Sequence, residues 1–484
     1  MDPYGSKQPR GHATTVLDLV SRDDQDNILF PLSAAVSRFL TRDEGHRTIP
    51  FSSVMRECTF KGPAELSQRF LFELSDINCG DLVQGLFIQI QMGDWFTSLT
   101  RARLESGFYS YADASTAWTY VNSLGTAILE EATLEVDDQI LERITGDSVN
   151  VISTLFPDLN TQVGLADSLG RKTIAEVKAW TGSRALPTED GWITVPLVFS
   201  MLREKTTSTF PLLACRSGTV RVGVTLKRFD QIVRSVSGSR LSCTDVPIGK
   251  SINLTETTVQ TLEVSPPLRQ IQLLTYGVFV DGPYREMLLR QPFERPFREI
   301  QQFDFTEPLK YLINKTGNES VVIQLPLEAN QPIEEILWIV RRKAALTQNN
   351  DWTNYSATLE KDYDPVFCPL EPLVSHAKIQ ANGMDVVSQP EAWFRSHIAR
   401  AHKGGKVAYD SFIYGYSFAR HPGQHDPTGS MNASRLNSLR LTLDVKTPQS
   451  TTTSSDTEWE VKVFVLAFQW VRFGNGICNK VFID

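Results

Sequence analysis

The chain has 484 residues, of which 41% are hydrophobic and 21% are charged, and its formal net charge is −8 at pH 7. This length exceeds what one hydrophobic core normally fills, so two domains of roughly 200 residues each are expected. The negative charge argues against a protein that mainly binds nucleic-acid phosphates. No apolar run approaches the ~18 residues that a membrane span requires.

The chain begins with Met-Asp-Pro-Tyr-Gly-Ser-Lys-Gln-Pro-Arg-Gly-His, which is polar and lacks the apolar core of a secretory signal. This start predicts a flexible N-terminal arm. Two later segments are also poor in apolar residues. The segment Ser235–Ser265 is rich in Ser and Thr and is followed by Pro266-Pro267, so it marks the predicted seam between two halves. The segment Thr447–Asp456 is predicted to be an exposed loop.

Short apolar runs and alternations, bounded by Gly, Pro, Asn or Asp, dominate the chain and are typical of β-strands. The predicted strands are Arg69–Leu74, Leu86–Met92, Ala132–Val136, Val220–Lys227, Leu273–Val280, Val321–Leu325, Ile336–Arg341, Phe412–Phe418, Leu439–Val445 and Val461–Val471. Helical spacing is weaker, and one or both of Trp118–Glu131 and Asp138–Phe156 are predicted to hold short helices. Many strands with long irregular connections favour a sandwich or jelly roll over a parallel α/β sheet.

Two positions are predicted as turns. Gly80-Asp81 lies between apolar alternations, and Gly80 can adopt a positive φ without Cβ strain, so a tight hairpin connection is expected there. Asp137-Asp138 lies at a second turn, whose type the sequence leaves open.

The six cysteines, Cys58, Cys79, Cys215, Cys243, Cys368 and Cys478, are widely scattered and include no CxxC pair. We expect reduced and mostly buried thiols, because nothing in the sequence indicates an oxidising compartment. Asn-x-Ser/Thr sequons occur at Asn253, Asn314, Asn318, Asn354 and Asn432. A chain rich in Ser and Thr produces several sequons by chance, and they matter only in a glycosylating compartment.

Two histidine pairs have spacings that can be compared with those of metal ligands. His421 and His425, beside Asp426, have a spacing that would suit a metal site on a helix, but Pro and Gly around them predict a structural loop. His397 and His402 lie near basic residues and are predicted to occupy a solvated loop. The sequence therefore predicts no metal site and no cofactor.

Three acidic pairs are relevant to function because jelly rolls also carry glycosidases that act through two carboxylates. The pairs Glu130-Glu131, Asp137-Asp138 and Glu334-Glu335 are adjacent residues, which point to opposite faces of a strand and cannot readily form one acid/base couple. They are predicted to lie in solvated turns. The chain also lacks a Gly-x-Ser-x-Gly elbow and a phosphate-binding loop, so no catalytic residue is assigned.

Near the C-terminus, aromatic residues could suggest a carbohydrate platform. Packing in the core or at an interface is the preferred interpretation, because several of them share one strand parity. The residues concerned are Trp459, Phe464, Phe468, Trp470 and Phe473.

The stretch at residues 409–435 resembles a motif of the major capsid proteins of nucleocytoplasmic large DNA viruses, of the iridovirus, phycodnavirus and marseillevirus type. The matching residues are Tyr414, Tyr416, Ser417, Phe418, Ala419, Pro422, Gln424, His425, Pro427, Gly429, Asn432, Ser434 and Arg435. Departures at Arg420, Thr428 and Met431 are not disruptive.

Further segments resemble the same family and follow its order along nearly the whole chain. They include the Gly-Asp-Leu turn at Gly80, the Val-Asn-x-x-Gly segment at 121–125, the paired Pro-Leu segments at Pro196 and Pro211, and the Trp-x-Asn-Tyr loop at Trp352. The segment Ala377–Asp385 is among the closest matches. Residues 41–46 and 204–208 depart from the family pattern.

The resemblance implies an all-β fold of two consecutive eight-stranded antiparallel jelly-roll sandwiches, with short helices in the connections. The expected divisions are an arm at 1–26, a first jelly roll at 27–240 and a second at 241–484. It further implies a non-enzymatic major capsid protein that forms homotrimers, pseudo-hexameric capsomers and an icosahedral shell. The loops Glu204–Ser208, Ser235–Ser265 and Thr447–Asp456 are expected to face outwards or towards an adjacent subunit.

The expected partners are further copies of the chain, minor capsid and penton proteins, and an internal membrane contacted through the arm. No direct binding of nucleic acid is expected. The resemblance also implies assembly in host cytoplasm, so we expect most or all of the sequon asparagines to be unmodified. Two alternatives stay open. One is a two-jelly-roll enzyme acting on glycans, which a deep acidic pocket between the halves would favour. The other is a lectin-like adhesion module, which would need a calcium shell of clustered Asp and Asn.

Overall fold

The structure is a computed structural model of the chain. It describes residues 50–93, 118–157, 159–173, 191–200, 209–235, 251–252, 260–261, 268–308, 320–359, 363–367, 369–402, 411–424, 427–446 and 458–481. The predicted arm at 1–26 and the loops at 204–208 and 447–456 lie outside these residues, as does most of 235–265.

The first half of the chain forms two antiparallel four-stranded sheets. Its strands are β1 (Phe51–Thr59), β2 (Arg69–Leu74), β3 (Leu82–Met92), β4 (Trp118–Tyr120), β5 (Leu129–Val136), β6 (Gln139–Thr145), β7 (Trp192–Pro196), β8 (Val220–Leu226), β9 (Val233–Ser235), β10 (Ser251–Ile252), β11 (Gln260–Thr261) and β12 (Leu268–Val280). One sheet has the order β1-β12-β3-β7 and the other β2-β8-β5-β6, while β4 pairs with β9 and β10 with β11.

The second half also forms two principal sheets. Its strands are β13 (Phe293–Pro308), β14 (Ser320–Pro326), β15 (Pro332–Arg342), β16 (Val374–Ala381), β17 (Met384–Pro390), β18 (Ile413–Ser417), β19 (Met431–Asn432), β20 (Leu439–Lys446), β21 (Glu458–Gly474) and β22 (Ile477–Lys480). The sheet orders are β13-β21-β15-β18, with β19 added to β15 and β22 to β21, and β14-β20-β16-β17.

The two halves repeat one topology. Each half contains two sheets, each with a row of four hydrogen-bonded neighbours, and the two rows together have eight strands. If these eight strands are numbered one to eight in chain order, the strand order in both halves is 1-8-3-6 in one sheet and 2-7-4-5 in the other. Apart from the fourth and fifth strands, which pair with each other, successive strands thus alternate between two sheets, which is the jelly-roll arrangement. The predicted all-β fold is confirmed, while the count of eight strands in each complete sandwich stays a prediction.

The ten predicted strands all coincide with observed strands, either closely or as parts of longer ones. Short helices lie in the connections, namely α1 (Asp76–Cys79), α2 (Leu124–Ala127), α3 (Gly146–Leu155), α4 (Leu159–Leu169), α5 (Pro283–Arg290), α6 (Lys343–Asn349) and α7 (Glu391–Ala401). Both segments with predicted helical spacing contain a helix, α2 and α3. No helix within the described ranges is long and apolar enough to cross a membrane.

Burial follows the position of each strand. Exposed and buried residues alternate along β2, as expected for a strand with one face towards the core, whereas β15 and the centre of β21 are buried on both faces. Helix α7 supplies part of the second cover for β15, since Phe394 packs edge-on against Trp338 with ring centroids 5.1 Å apart. Residues from Pro50 onward form one compact unit.

The two predicted turns have different outcomes. Asp137 and Asp138 have φ angles of 50° and 63°, so they form a turn of type I′ between β5 and β6. Gly80 has the expected positive φ of 97°, but the hairpin prediction is wrong. β2 pairs with β8 and β3 pairs with β12 and β7, so the chain at Gly80 passes from one sheet of the sandwich to the other.

This crossing depends on a close approach of two backbones. An atom at the Cβ position of Gly277, where β12 changes register, would lie 1.7 Å from the carbonyl oxygen of Cys79. Only a glycine can occupy this position without displacing α1.

We therefore expect Gly277→Ala to lower the free energy of unfolding by about 1–3 kcal/mol or more, because it overpacks two backbones. The matched control is Gly164→Ala in α4, where no atom lies within 4 Å of the added Cβ. The control should be neutral or more stable by up to about 1 kcal/mol through helix propensity. Urea unfolding of both variants measures the difference, and equal stability would contradict the assigned contact.

Candidate functional site: the contact between the two jelly rolls

A buried ionic cluster joins the two halves. Asp147 lies in the first turn of α3, which begins at a capping box between Thr145 and Ser148. Its carboxylate accepts two hydrogen bonds from the Arg341 guanidinium on β15, at 2.9 and 3.2 Å. Lys462 on β21 lies 2.8 Å from the same carboxylate. The carboxylate of Asp147, from the first half, thus binds two cations from the second half.

Glu460 completes this cluster from β21, with an oxygen 2.8 Å from Arg341. Burial raises the pKa of Asp147, but the positive charges of Arg341 and Lys462 lower it by more. The pKa of this carboxyl therefore lies below its usual range. Burial also raises the pKa of Glu460, and the same two cations lower it by more, so the net shift is downward. For Lys462, burial lowers the pKa, but the carboxylates of Asp147 and Glu460 raise it by more. All members are therefore charged at neutral pH.

The loop after α6 reaches from the second half into the first. The Trp352 indole N–H donates to the Gln231 carbonyl at 2.9 Å, and the Asn350 amide donates to the carbonyls of Asp230 and Val233 at 2.8 Å. The Lys227 ammonium lies 3.5 Å from the Trp352 ring centroid, which is a cation–π contact. This Trp-x-Asn-Tyr loop was singled out by the resemblance, but its role between the halves was not predicted.

The prediction that Glu334 and Glu335 lie in a solvated turn is wrong, because both are fully buried in β15. Glu334 binds the Arg298 guanidinium, and burial raises the pKa of Glu334. Glu335 lies 3.0 Å from His402, whose ring contacts that of Phe156 of the first half, with ring centroids 4.1 Å apart and the planes tilted by 43°. As predicted, the two adjacent carboxylates act separately, each with its own basic partner.

The prediction of a solvated loop at His397 and His402 is also wrong. His397 lies in α7, stacked against Trp393 and Tyr416, and burial lowers its pKa. His402 follows the end of α7 and is 1% exposed. The pattern that could have revealed the helix is the apolar spacing of residues 393, 394 and 398 after Pro390.

The predicted loop at His421 is confirmed for its described residues. The His421 backbone N–H donates to the Thr428 hydroxyl at 2.9 Å, and that hydroxyl donates to the His421 carbonyl at 3.0 Å. His425 and Asp426 lie outside the described residues. No group of His, Cys, Asp or Glu suited to a metal ion occurs within the described part of the chain.

The remaining acidic pairs are exposed or held by cations. Asp137-Asp138 forms the exposed turn described above, and Asp138 lies 2.9 Å from Arg221. Glu130-Glu131 lies in β5 and not in a turn, with Glu131 3.2 Å from Arg143. Neither arrangement is an acid/base couple in a cleft.

A polar pocket of about 110 Å³ lies between the two halves. Its lining includes Arg171 and Lys172 from the first half and Asp351 and Tyr355 from the second. Arg171 donates to the side chains of Asn150, Ser153 and Thr154 at 2.7–3.2 Å. The pocket is small and contains a single carboxylate, so it differs from the deep acidic pocket that a glycan-acting enzyme would need.

The C-terminal aromatic residues form core, as predicted, with one exception. Trp459, Phe464, Phe468 and Phe473 are buried, whereas Trp470 is 41% exposed. Of the sequons, Asn354 is buried and its amide donates to the Thr358 carbonyl at 3.0 Å, while Asn432 is exposed. Asn253, Asn314 and Asn318 lie outside the described residues, and the absence of modification stays a prediction.

Known proteins share this fold. The chain superposes on a protein of the PBCV-1 virus capsid with a TM-score of 0.61 and 15% identity, covering 90% of this chain and 98% of that one. It superposes on the Faustovirus major capsid protein with a TM-score of 0.63 and 10% identity, covering 93% and 94%. The fold is therefore that of the double jelly-roll capsid proteins.

Sequence comparison defines the family. The model for the major capsid protein N-terminus matches residues 42–281, and the model for the large eukaryotic DNA virus major capsid protein matches residues 298–479. The major capsid protein of Phaeocystis pouchetii virus is 21% identical over 87% of this chain and 91% of its own length. That of Pyramimonas orientalis virus is 24% identical over 42% of this chain and 47% of its own length. The chain belongs to the major capsid proteins of large eukaryotic DNA viruses, which form the icosahedral shell.

We expect Asp147→Asn to lower the free energy of unfolding at neutral pH by about 3–5 kcal/mol, because it leaves buried cations without their carboxylate. The matched control is Asp138→Asn, which removes the exposed partner of Arg221 and should cost no more than about 1 kcal/mol. Urea unfolding at pH 7 measures both, and equal losses would contradict the role of the buried cluster.

The same pair of variants tests the pH dependence. The folded-state pKa of Asp147 is lowered, so its stabilising contribution is present above the unfolded pKa of about 4 and is lost as pH falls further. The stability difference between wild type and Asp147→Asn should therefore be constant from pH 7 to about 5 and shrink below about 4. A difference that stays unchanged down to pH 3 would contradict the assignment.

Proposed function

We propose that three copies of the chain associate into a pseudo-hexameric capsomer and that these capsomers tile the shell. The supporting observation is the repeated topology, because two similar sandwiches in each chain give a trimer six comparable units around its axis. The buried cluster around Asp147 and Arg341 fixes the two sandwiches to each other. A fixed spacing between them is what a hexagonal lattice requires of its building block.

We propose that the first jelly roll ends near residue 280 and the second begins near residue 293, with α5 between them. The predicted boundary between residues 240 and 241 separates β12 from the strands with which it pairs, β1 and β3. A boundary after Val280 keeps each set of paired strands together. The arm at 1–26 stays a prediction.

An exposed edge supports association between copies. β1 is the outer strand of its sheet within the described residues and is exposed along most of its length. Phe51 and Met55, which share one strand parity, are 68% and 60% exposed. Long apolar edge strands are normally covered, because they invite pairing with other chains.

The proposal extends to partners and place of assembly. Minor capsid and penton proteins are the expected neighbours of the capsomer, the arm at 1–26 is the expected contact to them or to an internal membrane, and host cytoplasm is the expected place of assembly. We propose no catalytic role. The glycan-acting alternative predicts hydrolysis of polysaccharides by the purified chain, and a hydrolysis screen that found it would overturn this part of the proposal.

The first test is the native mass of the purified protein. Light scattering should give three times the chain mass of 54.4 kDa, and negative-stain microscopy of the same sample should show hexagonal outlines. A persistent monomer would contradict the capsomer.

Deletion of residues 1–26 tests the arm separately. The shortened chain should retain the trimeric mass but fail to assemble into shells when the full-length chain does so under the same conditions. Loss of the trimer itself would contradict the assignment of the arm to contacts outside the capsomer.

A further inference from the structure

Four cysteines that are far apart in the sequence meet as two pairs in the fold. Cys58 on β1 and Cys79 at the end of α1 lie close enough for their thiols to interact. Cys215, in the 3₁₀ turn at Leu212–Cys215, and Cys478 on β22 form a second thiol contact. All four are free thiols. We propose that each pair is a site of intrachain disulfide formation, Cys58 with Cys79 and Cys215 with Cys478.

The backbone around each pair holds the two thiols together. The Cys79 N–H donates to the Ser75 carbonyl at 2.8 Å, and the Cys79 carbonyl packs against Gly277 of β12, the strand that pairs with β1. At the second pair, the Ser217 N–H donates to the Gly476 carbonyl at 3.0 Å, which joins the first half to the β21–β22 turn. These backbone contacts keep the two segments of each pair adjacent, as a disulfide requires.

The balanced reaction needs an oxidant, for which we name a disulfide such as oxidised glutathione. One protein thiolate attacks a glutathione sulfur and releases one glutathione thiolate. The neighbouring thiol then loses its proton and displaces the second glutathione, which forms the protein S–S bond. Each protein disulfide thus converts one oxidised glutathione into two reduced molecules.

The two pairs differ in how readily they can react. At the first pair, Cys58 is half-buried, so an oxidant can reach its sulfur, and Cys79 is its buried neighbour. At the second pair, both residues are 1% exposed, so an oxidant reaches neither sulfur without local opening. The Cys58–Cys79 bond should therefore form first, and the Cys215–Cys478 bond more slowly.

This inference rests on the proposed function in one respect, because a capsid passes from the reducing interior of a host to an oxidising medium. Reduced thiols would serve during assembly. The Cys215–Cys478 bond would then fasten the C-terminal hairpin to the first jelly roll after release.

The experiment uses the full-length chain, purified in reductant and then exposed to oxidised glutathione. Samples taken over time are denatured, alkylated with N-ethylmaleimide and digested without reduction, and the cross-linked peptides are identified by mass. We expect the Cys58–Cys79 peptide pair to appear first, the Cys215–Cys478 pair later, and both to vanish after dithiothreitol. Oxidation should also raise Tm by several degrees.

Variants separate the two bonds. Cys58→Ser with Cys79→Ser should abolish only the first cross-link, and Cys215→Ser with Cys478→Ser only the second. Cys243→Ser, which removes one thiol and keeps both pairs, is the matched control and should behave as wild type. Full alkylation of all four thiols after oxidation, or cross-links that join other cysteines or different chains instead, would overturn the proposal.

Native mass measured on the same reduced and oxidised samples keeps the two proposals apart. A trimer without these cross-links would overturn only the disulfide pairing. A monomer with both cross-links would contradict only the capsomer.

Discussion

The pairing of Arg341 with Asp147 is the interaction on which the arrangement of the two jelly rolls depends. Both groups are almost completely buried, and they come from different halves of the chain. Any sliding of one sandwich against the other would leave a buried charge without its partner, which costs far more than the loss of an exposed ion pair. Arg341 also donates to the Trp352 carbonyl at 2.7 Å, which connects this pair to the loop whose Trp352 and Asn350 contact the first half.

The strands could be predicted because alternation of apolar residues reflects burial of one face, which each segment carries in its own sequence. The turn at Asp137-Asp138 could be located for the same local reason. Which sheet a strand joins cannot be predicted from its own sequence in the same way. Gly80 has the backbone conformation that its sequence indicates, yet β2 and β3 join different sheets, because pairing is decided by strands far away in the chain.

The charged residues between the halves escaped prediction for a related reason. Glu334-Glu335 and His402 are polar, and their sequence predicts solvated positions, since isolated charges are rarely buried. Each is buried because the fold brings a partner to it, Arg298 to Glu334 and His402 to Glu335. Those partners are distant in sequence, so no local pattern predicts the pairing. The same holds for the cysteine pairs, whose members are far apart in the chain.

The position of β12 has a consequence for synthesis on the ribosome. β1 emerges early, but within the described residues it pairs only with β12, the last strand of its jelly roll to be made. β13 depends on β21 in the same way in the second half. During translation each early strand therefore remains without its neighbour until the closing strand has left the exit tunnel. In that interval the apolar side chains of β1, including Phe51 and Met55, and its unpaired backbone groups are open to aggregation.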